Sequence, residues 1–509
     1  MEVIKQNYSF TPEIISKKGV GVMGQQITNN TINRNVPRLV IGAPQGRSGK
    51  TTFTLGLLRA FANQNIRVQP FKKGPDYIDT SWHTAAARCE SRNLDSYFMT
   101  KQEICSSVVR HTQDKNLALI EGAMGLYDGS DIKGSSSTAE IAKITSSPVL
   151  LVVDATRMTR SIAALVMGYQ HFDPDVNIAG VILNKVARAR HEKIAREVIQ
   201  EYCGIPVVGA IPKDVNLGIP DRHLGLVTRG ELDETDKLLN YLAEVMCNHV
   251  DLTQVLAIAD NAQELHQFEE ISLPNLAEYS LKNKGVTPKI GIIKDEVFSF
   301  YYPENIEALE RLGAELVYIN SLSDRGLPED LDCLYIGGGF PEIFASELEK
   351  NLALRNNIKQ AGEKGLPIYA ECGGLMYLGR SVRISSQSFE MVGLLPLDTQ
   401  MENKPQGHGY TLMETTSDQS WFAENHKMVG HEFHNSKVVN LAPYVKFGLK
   451  VKRGYGINGE YDGICYKNVF ASYNHIHALG CHVWAERVVK LATDFKQSKQ
   501  SVLEKIAKQ

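Results

Sequence analysis

Short, wholly apolar runs recur along the first half of this chain, each ending in a polar, glycine-containing turn. Arg38 to Gly42, Leu117 to Ile120, Pro148 to Asp154, Ile178 to Lys185 and Pro206 to Pro212 lack the alternation of a half-solvated strand. They therefore read as strands of a parallel sheet buried on both faces. Ile66 to Phe71 is a further strand, and Ile219 to Leu226 is expected to close the sheet. Phe53 to Phe61 and Ser161 to Tyr169 carry helical spacing between strands, the βα alternation of an open α/β fold. Leu232 to Leu265 reads as helical and polar. Periodicity then breaks between Gln267 and Lys289, around Pro274 and Pro288. A second series follows: strands at Pro288 to Ile293, Glu315 to Ile319, Leu334 to Ile336 and Gly365 to Ala370, with a helix opening at Pro303 and running through Leu312. The pattern predicts two α/β domains, over 37–250 and 288–490. A linker over 251–287, a disordered extension over 1–36 and a tail over 491–509 complete the chain.

Composition narrows the class. A length of 509 residues favours two or three domains over one, and 43% hydrophobic with 22% charged residues is ordinary for a soluble globular protein. A net charge of -3 gives no basic field for nucleic acid. The eight cysteines contain no CxxC pair, which argues against a zinc ribbon, and their scatter suits a reducing cytoplasm. No apolar run reaches the length of a membrane span.

The first turn carries chemistry. Gln45-Gly46-Arg47-Ser48-Gly49-Lys50-Thr51-Thr52 lies between a strand and a helix. Backbone N–H groups of such a loop cradle phosphates, the lysine neutralises charge, and the first threonine can hold Mg²⁺. Pro44 stands where a strict phosphate loop has its first glycine, so Gly46 and Gly49 shape the turn. Gly46, Ser48, Gly49, Lys50, Thr51 and Thr52 are the expected ATP-binding residues. Asn184, at a strand tip, is a candidate for an adenine edge. Lys73-Gly74-Pro75-Asp76-Tyr77-Ile78-Asp79 follows the second strand. At the ligand-gathering edge of an α/β sheet, Lys73, Asp76, Tyr77 and Asp79 are expected at a substrate or metal. Glu121 ends an apolar strand and is, with Thr51 and Asp76, a candidate Mg²⁺ ligand. Arg222 and His223 are candidates for an anionic substrate.

The second half offers a different reactive group. Ala370-Glu371-Cys372-Gly373-Gly374 is a strand, a sharp turn and a helix start, with a thiol at the turn. A helix N-terminus there favours a thiolate. Gly337-Gly338-Gly339 ends the preceding strand, so Gly338, Gly339 and Gly373 are candidates for an oxyanion hole. Tyr473-Asn474-His475-Ile476-His477 offers two histidines, expected on one strand face, as the base for Cys372. His431-Glu432-Phe433-His434 is one residue short of a zinc-protease motif and lacks a helical context.

In this order these segments resemble the cobyrinate a,c-diamide synthase family. The resemblance implies a phosphate-loop synthetase domain like dethiobiotin synthetase and a class I-like glutaminase domain. It implies ATP with Mg²⁺, glutamine and a tetrapyrrole polycarboxylate as ligands, and an acyl phosphate intermediate. It also implies Cys372 as nucleophile, with the Tyr-x-His match favouring His475 over His477; no triad acid is evident after that histidine. Pro405-Gln406-Gly407-His408-Gly409-Tyr410 departs from the segment expected of cobyrinate enzymes. That leaves sirohydrochlorin, its nickel form and sirohaem as alternative substrates. A homodimer is open, and no nucleic-acid or membrane partner is expected. The competing class is a phosphate-loop switch ATPase with an inactive glutaminase-like half.

Overall fold

A computed structural model describes residues 35–213, 232–265 and 285–507. The expected extension, the Ile219 to Leu226 segment and the candidates Arg222 and His223 lie outside these residues. The apolar runs of the first half form a seven-stranded parallel sheet. From edge to edge it runs Arg92–Leu94, Val68–Lys73, Leu117–Glu121, Arg38–Gly42, Val149–Asp154, Ile178–Val186 and Val207–Pro212. The strand Arg92–Leu94 is short and polar, and the apolar pattern did not reveal it. Helix Lys50–Asn63 covers one face, burying Phe53, Leu57 and Phe61 with Leu39, Leu119 and Leu150 of the sheet. Each such side chain contributes roughly 1.5–3 kcal/mol through burial.

The 232–265 segment departs from its expectation as a polar stretch running into a linker. Helices Leu232–His249 and Leu252–Asp260 pack Leu239, Leu242, Met246, Val255 and Ile258 into the same core. The first α/β unit therefore continues past 251. The expected tail boundary likewise falls inside one helix, His482–Ala507, whose Trp484, Val488, Val489 and Ala492 are buried in the second half.

The second sheet has nine strands. Its parallel part runs Val469–Ser472, Ile368–Glu371, Cys333–Ile336, Lys289–Ile293 and Glu315–Ile319. Four antiparallel strands extend it from Val469–Ser472 through Tyr461–Tyr466, Lys446–Arg453 and Gly407–Thr415 to Lys427–His434. The two halves interlock through polar contacts. Arg92 binds Glu304 at 3.0 Å and also Glu307, the Tyr410 hydroxyl donates to Asp95 at 2.8 Å, and His482 lies 2.9 Å from Glu103. Among the described residues no helix is long and apolar enough to cross a membrane.

Candidate functional site

The phosphate loop turns through Arg47 and Gly49, both at positive φ. Gly49 is required: its φ is +97°, and a Cβ there would lie 2.4 Å from Asn184 Nδ2. Asn184 donates to the Ser48 carbonyl at 2.8 Å, and its Oδ1 accepts the Lys185 N–H at 2.9 Å. The amide expected at an adenine edge is thus committed to bracing the loop. It still lines a cleft with Gly49, Thr52, Phe53, Ile211 and Pro212. Ser48 Oγ donates to the Gln45 carbonyl at 3.0 Å, and Lys50 Nζ donates to Met124 O at 2.6 Å. Burial, reinforced by the nearby Lys72 charge, lowers the Lys50 ammonium pKa.

Parallel pairing sets Lys72 opposite Glu121, and this register builds the carboxylate cluster. Thr51 Oγ1 donates to Glu121 Oε1 at 2.7 Å, Lys72 Nζ reaches the same oxygen at 2.8 Å, and His83 Nε2 lies 2.6 Å from Oε2. Lys72 also donates to Asp79. Burial works against charge on Glu121, but Lys72 and His83 outweigh it and hold the carboxyl far below its ordinary range. Burial likewise opposes the Lys72 charge, and Glu121 and Asp79 outweigh it. Of the two adjacent lysines the sequence singles out Lys73 rather than Lys72, and it carries no signal for His83. Adjacent strand residues face opposite sides, and Lys73 is buried toward Asp95 and Glu140 instead. Asp76 caps the helix Ile78–Ala87, its Oδ1 accepting the Ile78 and Asp79 N–H groups at 2.9 and 2.8 Å. Burial, then Asp79, pushes its pKa up to about 6.

The expected Mg²⁺ ligands Thr51 and Glu121 are in contact, and both offer hard oxygen. One or two such ligands beside phosphate oxygens suit Mg²⁺, which does not need a full protein cage. Among the described residues no group of three His, Cys, Asp or Glu side chains is arranged to hold a metal. His431 and His434 lie on the strand Lys427–His434, so the helical spacing of a zinc protease is not formed.

At the turn of the second half Cys372 adopts φ +46°, ψ −100°, a strained conformation for a residue with a side chain. Its N–H donates to Ser472 O at 2.7 Å, which pins the turn to the neighbouring strand. The expected thiolate is not favoured at rest. Burial, then the Glu342 charge, pushes the thiol well above its ordinary range, and the following helix spans only Gly373–Leu378. The Sγ faces the Phe433 carbonyl at 4.0 Å.

His475 turns its Nδ1 toward Glu371 Oε2 at 3.3 Å, and both side chains are buried. Glu371 immediately precedes the cysteine. The orienting group left open by the sequence thus precedes the nucleophile instead of following the histidine. A Cβ on Gly338 would lie 2.5 Å from His475 Cε1, so the glycine admits the imidazole against the loop. A Cβ on Gly373 would lie 3.0 Å from the Gly339 nitrogen, which brings the three candidate oxyanion glycines together. His477 does not join them. The strand ends at Ser472, so strand alternation does not carry the two histidines onto one face. His477 instead lies 3.5 Å from Glu304 and packs beside Tyr302.

Tyr77, expected beside substrate, directs its ring into the second half, where it packs against Phe300, Tyr302, His431 and His475.

Two family models cover most of the chain. Residues 39–227 match the CobQ/CobB/MinD/ParA nucleotide binding domain, and residues 289–482 match the CobB/CobQ-like glutamine amidotransferase domain. A cobyrinate a,c-diamide synthase of Magnetococcus marinus is 44% identical over 88% of this chain and 96% of its own length. A protein of the same name from Archaeoglobus fulgidus is 44% identical over 90% and 98%. Among solved structures, PurLQS from Thermotoga maritima aligns over 41% of this chain and 99% of its own, with a TM-score of 0.32 and 16% identity.

Proposed function

The chain belongs to the cobyrinate a,c-diamide synthase family, and from that premise we propose that it amidates the a and c acetate side chains of a cobyrinate-type tetrapyrrole with ATP and glutamine. The observation that carries the glutamine half is the buried Glu371–His475 pair, whose carboxylate directly precedes the strained Cys372. His475 takes the thiol proton, and Cys372 Sγ attacks the carboxamide carbon of glutamine. The backbone N–H groups at Gly338, Gly339 and Gly373 receive the oxyanion. The imidazolium returns its proton to the departing nitrogen, ammonia leaves, and water releases glutamate from the thioester. A base at His475 is called for because burial and the Glu342 charge disfavour the thiolate of Cys372.

In the first half, the tetrapyrrole carboxylate attacks the γ-phosphorus of ATP, giving ADP and an acyl phosphate; ammonia then displaces phosphate to form the amide. The loop from Gly46 to Thr52 binds the ATP phosphates, with Lys50 neutralising charge. Thr51 and Glu121 would hold Mg²⁺, which when bound supplies charge neutralisation at the phosphates. Asp79, paired with Lys72 beside Glu121, and Asp76 on the same turn would serve the reacting carboxylate or its metal.

Cys372→Ala tests this division. It is expected to abolish glutamine-dependent amidation and to retain amidation driven by free ammonia. Equal loss with both nitrogen donors would overturn the reading. Mass spectrometry of products from cobyrinate, hydrogenobyrinate, sirohydrochlorin, its metal forms and sirohaem identifies the substrate. Dominant turnover of a substrate other than cobyrinate would replace the proposed one while leaving the chemistry in place.

A further inference from the structure

We propose that Glu342 receives the α-ammonium group of glutamine and so selects the nitrogen donor. The inference rests on the amidotransferase reading and deepens its glutamine half. Glu342 closes the loop that begins with the oxyanion glycines. One end of that loop meets the base: a Cβ on Gly338 would lie 2.5 Å from His475 Cε1. The other end meets the nucleophile's turn: a Cβ on Gly373, the residue after Cys372, would lie 3.0 Å from Pro341 Cδ. Glu342 follows Pro341 directly. Main-chain bonds fix its place, because the Phe340 N–H donates to Val297 O at 2.9 Å and the Ile343 N–H to Phe340 O at 3.1 Å.

Glu342, Glu371 and Asp462 all set negative charge against a Cys372 thiolate, and Glu342 does so most strongly. The other two are already engaged. Glu371 holds His475 Nδ1 at 3.3 Å and the Ile476 N–H at 3.4 Å. Asp462 accepts the N–H groups of Gly463, Tyr473 and Asn474 at 2.8, 3.1 and 3.1 Å. Glu342 is partly buried, yet its own N–H is the one hydrogen-bond partner of its carboxylate among the described residues, and no cation there offsets its charge. Burial pushes its pKa up to about 7. A carboxylate left without a partner beside a nucleophile that must ionise is costly in the empty site. A cation brought by the substrate removes that cost. In glutamine the ammonium nitrogen is four bonds from the carboxamide carbon, so a substrate poised at Cys372 Sγ carries its cation into the region where the Glu342 charge acts. The contact is charge-assisted on both sides. It also neutralises the group whose charge most opposes the thiolate, so the correct donor eases the attack upon itself. A donor without the ammonium leaves Glu342 desolvated and unpaired, which is how a buried polar group rejects an analogue that cannot satisfy it.

The test compares ammonia release from glutamine and from glutaramate, the same molecule with hydrogen in place of the ammonium group. The full chain is assayed under amidating conditions, with ATP, Mg²⁺ and cobyrinate present. The wild-type protein is expected to prefer glutamine in kcat/KM by about 10–100-fold, the worth of one hydrogen-bonded charge. Glu342→Gln keeps the side-chain shape and is expected to bring that preference below threefold, chiefly through a higher KM for glutamine. Ammonia-driven amidation by the same preparation is the reference for folding. If Glu342→Gln does not fold, Glu342→Asp keeps the charge but withdraws it by one methylene, and it is expected to narrow the preference in the same way. A wild-type preference retained in the folded variant overturns the proposal. A wild-type protein that uses glutamine and glutaramate equally well also overturns it and leaves the amidotransferase reading intact. A wild-type protein that neither hydrolyses glutamine nor amidates with either donor overturns both.

Discussion

His475 Nδ1 and Glu371 Oε2 lie 3.3 Å apart, and the other Glu371 oxygen accepts the Ile476 N–H at 3.4 Å. A carboxylate held in this way places the imidazole proton on Nδ1 and leaves Nε2 to act as base. It also stabilises the imidazolium that forms when the thiol ionises. Glu371→Gln preserves the side-chain shape but removes the charge and admits the wrong tautomer. Loss of an orienting acid in a comparable triad costs up to about 10⁴ in turnover. Glutamine-dependent kcat is therefore expected to fall by about 10²–10⁴, with ammonia-driven amidation by the same preparation as the reference. A change below threefold would show that Glu371 does not orient the base.

Lys72 and Lys73 are adjacent and both buried, but their removal should differ sharply. Lys72 contacts Glu121 and Asp79, and Glu121 is fully buried. Lys72→Met leaves Glu121 without its main cation. Breaking such a buried pair costs about 3–5 kcal/mol. Lys73 has Asp95 and Glu140 in its field without a comparable contact. Denaturant unfolding is expected to show a large loss for Lys72→Met and a much smaller one for Lys73→Met. Equal losses would mean that the Glu121 cluster does not depend on Lys72.

The two lysines also show where a sequence stops being legible. The phosphate loop, the Cys372 elbow and the Gly337–Gly339 turn are contiguous, and strand, turn and helix signals surround each of them. Both α/β units followed from apolar runs for the same reason. Choosing Lys72 over Lys73 requires the register that pairs Lys72 with Glu121, 49 residues away in sequence. His83 reaches Glu121 from a helix whose orientation no local pattern encodes. Placing His477 on the same face as His475 needs a strand through both, and the strand ends at Ser472. Periodicity reads helix through Leu265, but only packing shows that helix Leu252–Asp260, inside the expected 251–287 linker, belongs to the first core.

Asp76 gives the protein a pH signature. Burial, then Asp79, raises its folded pKa from 3.8 to about 6. Between roughly pH 4 and 6 the folded state holds a proton that the unfolded chain releases. The stabilising contribution of that proton is complete below about pH 4 and is lost as pH rises through about 6. Ionised Asp76 is therefore a liability at pH 8. Asp76→Asn keeps an oxygen to cap the helix and is expected to raise Tm at pH 8, with the gain vanishing at pH 4. Thermal melts at the two pH values check the sign; a gain that grows on acidification would contradict it.

Gly338 and Gly339 are neighbours with different obligations. A Cβ at Gly339 would stand 1.8 Å from the Val297 carbonyl oxygen and 2.8 Å from its carbon, so backbone would have to move. A Cβ at Gly338 would meet the His475 ring at 2.5 Å and the Phe300 side chain at 3.3 Å, and its backbone is not in the left-handed region. Gly339→Ala is therefore expected to lose folded protein, because the obstructing atoms are main chain. Gly338→Ala is expected to fold and to displace the imidazole from Glu371. Its glutamine-dependent kcat should fall at least tenfold, with a Tm much closer to wild type than that of Gly339→Ala. Circular dichroism melts beside glutaminase assays separate the two. Wild-type glutamine turnover in Gly338→Ala would show that the imidazole position against this loop is not needed for hydrolysis.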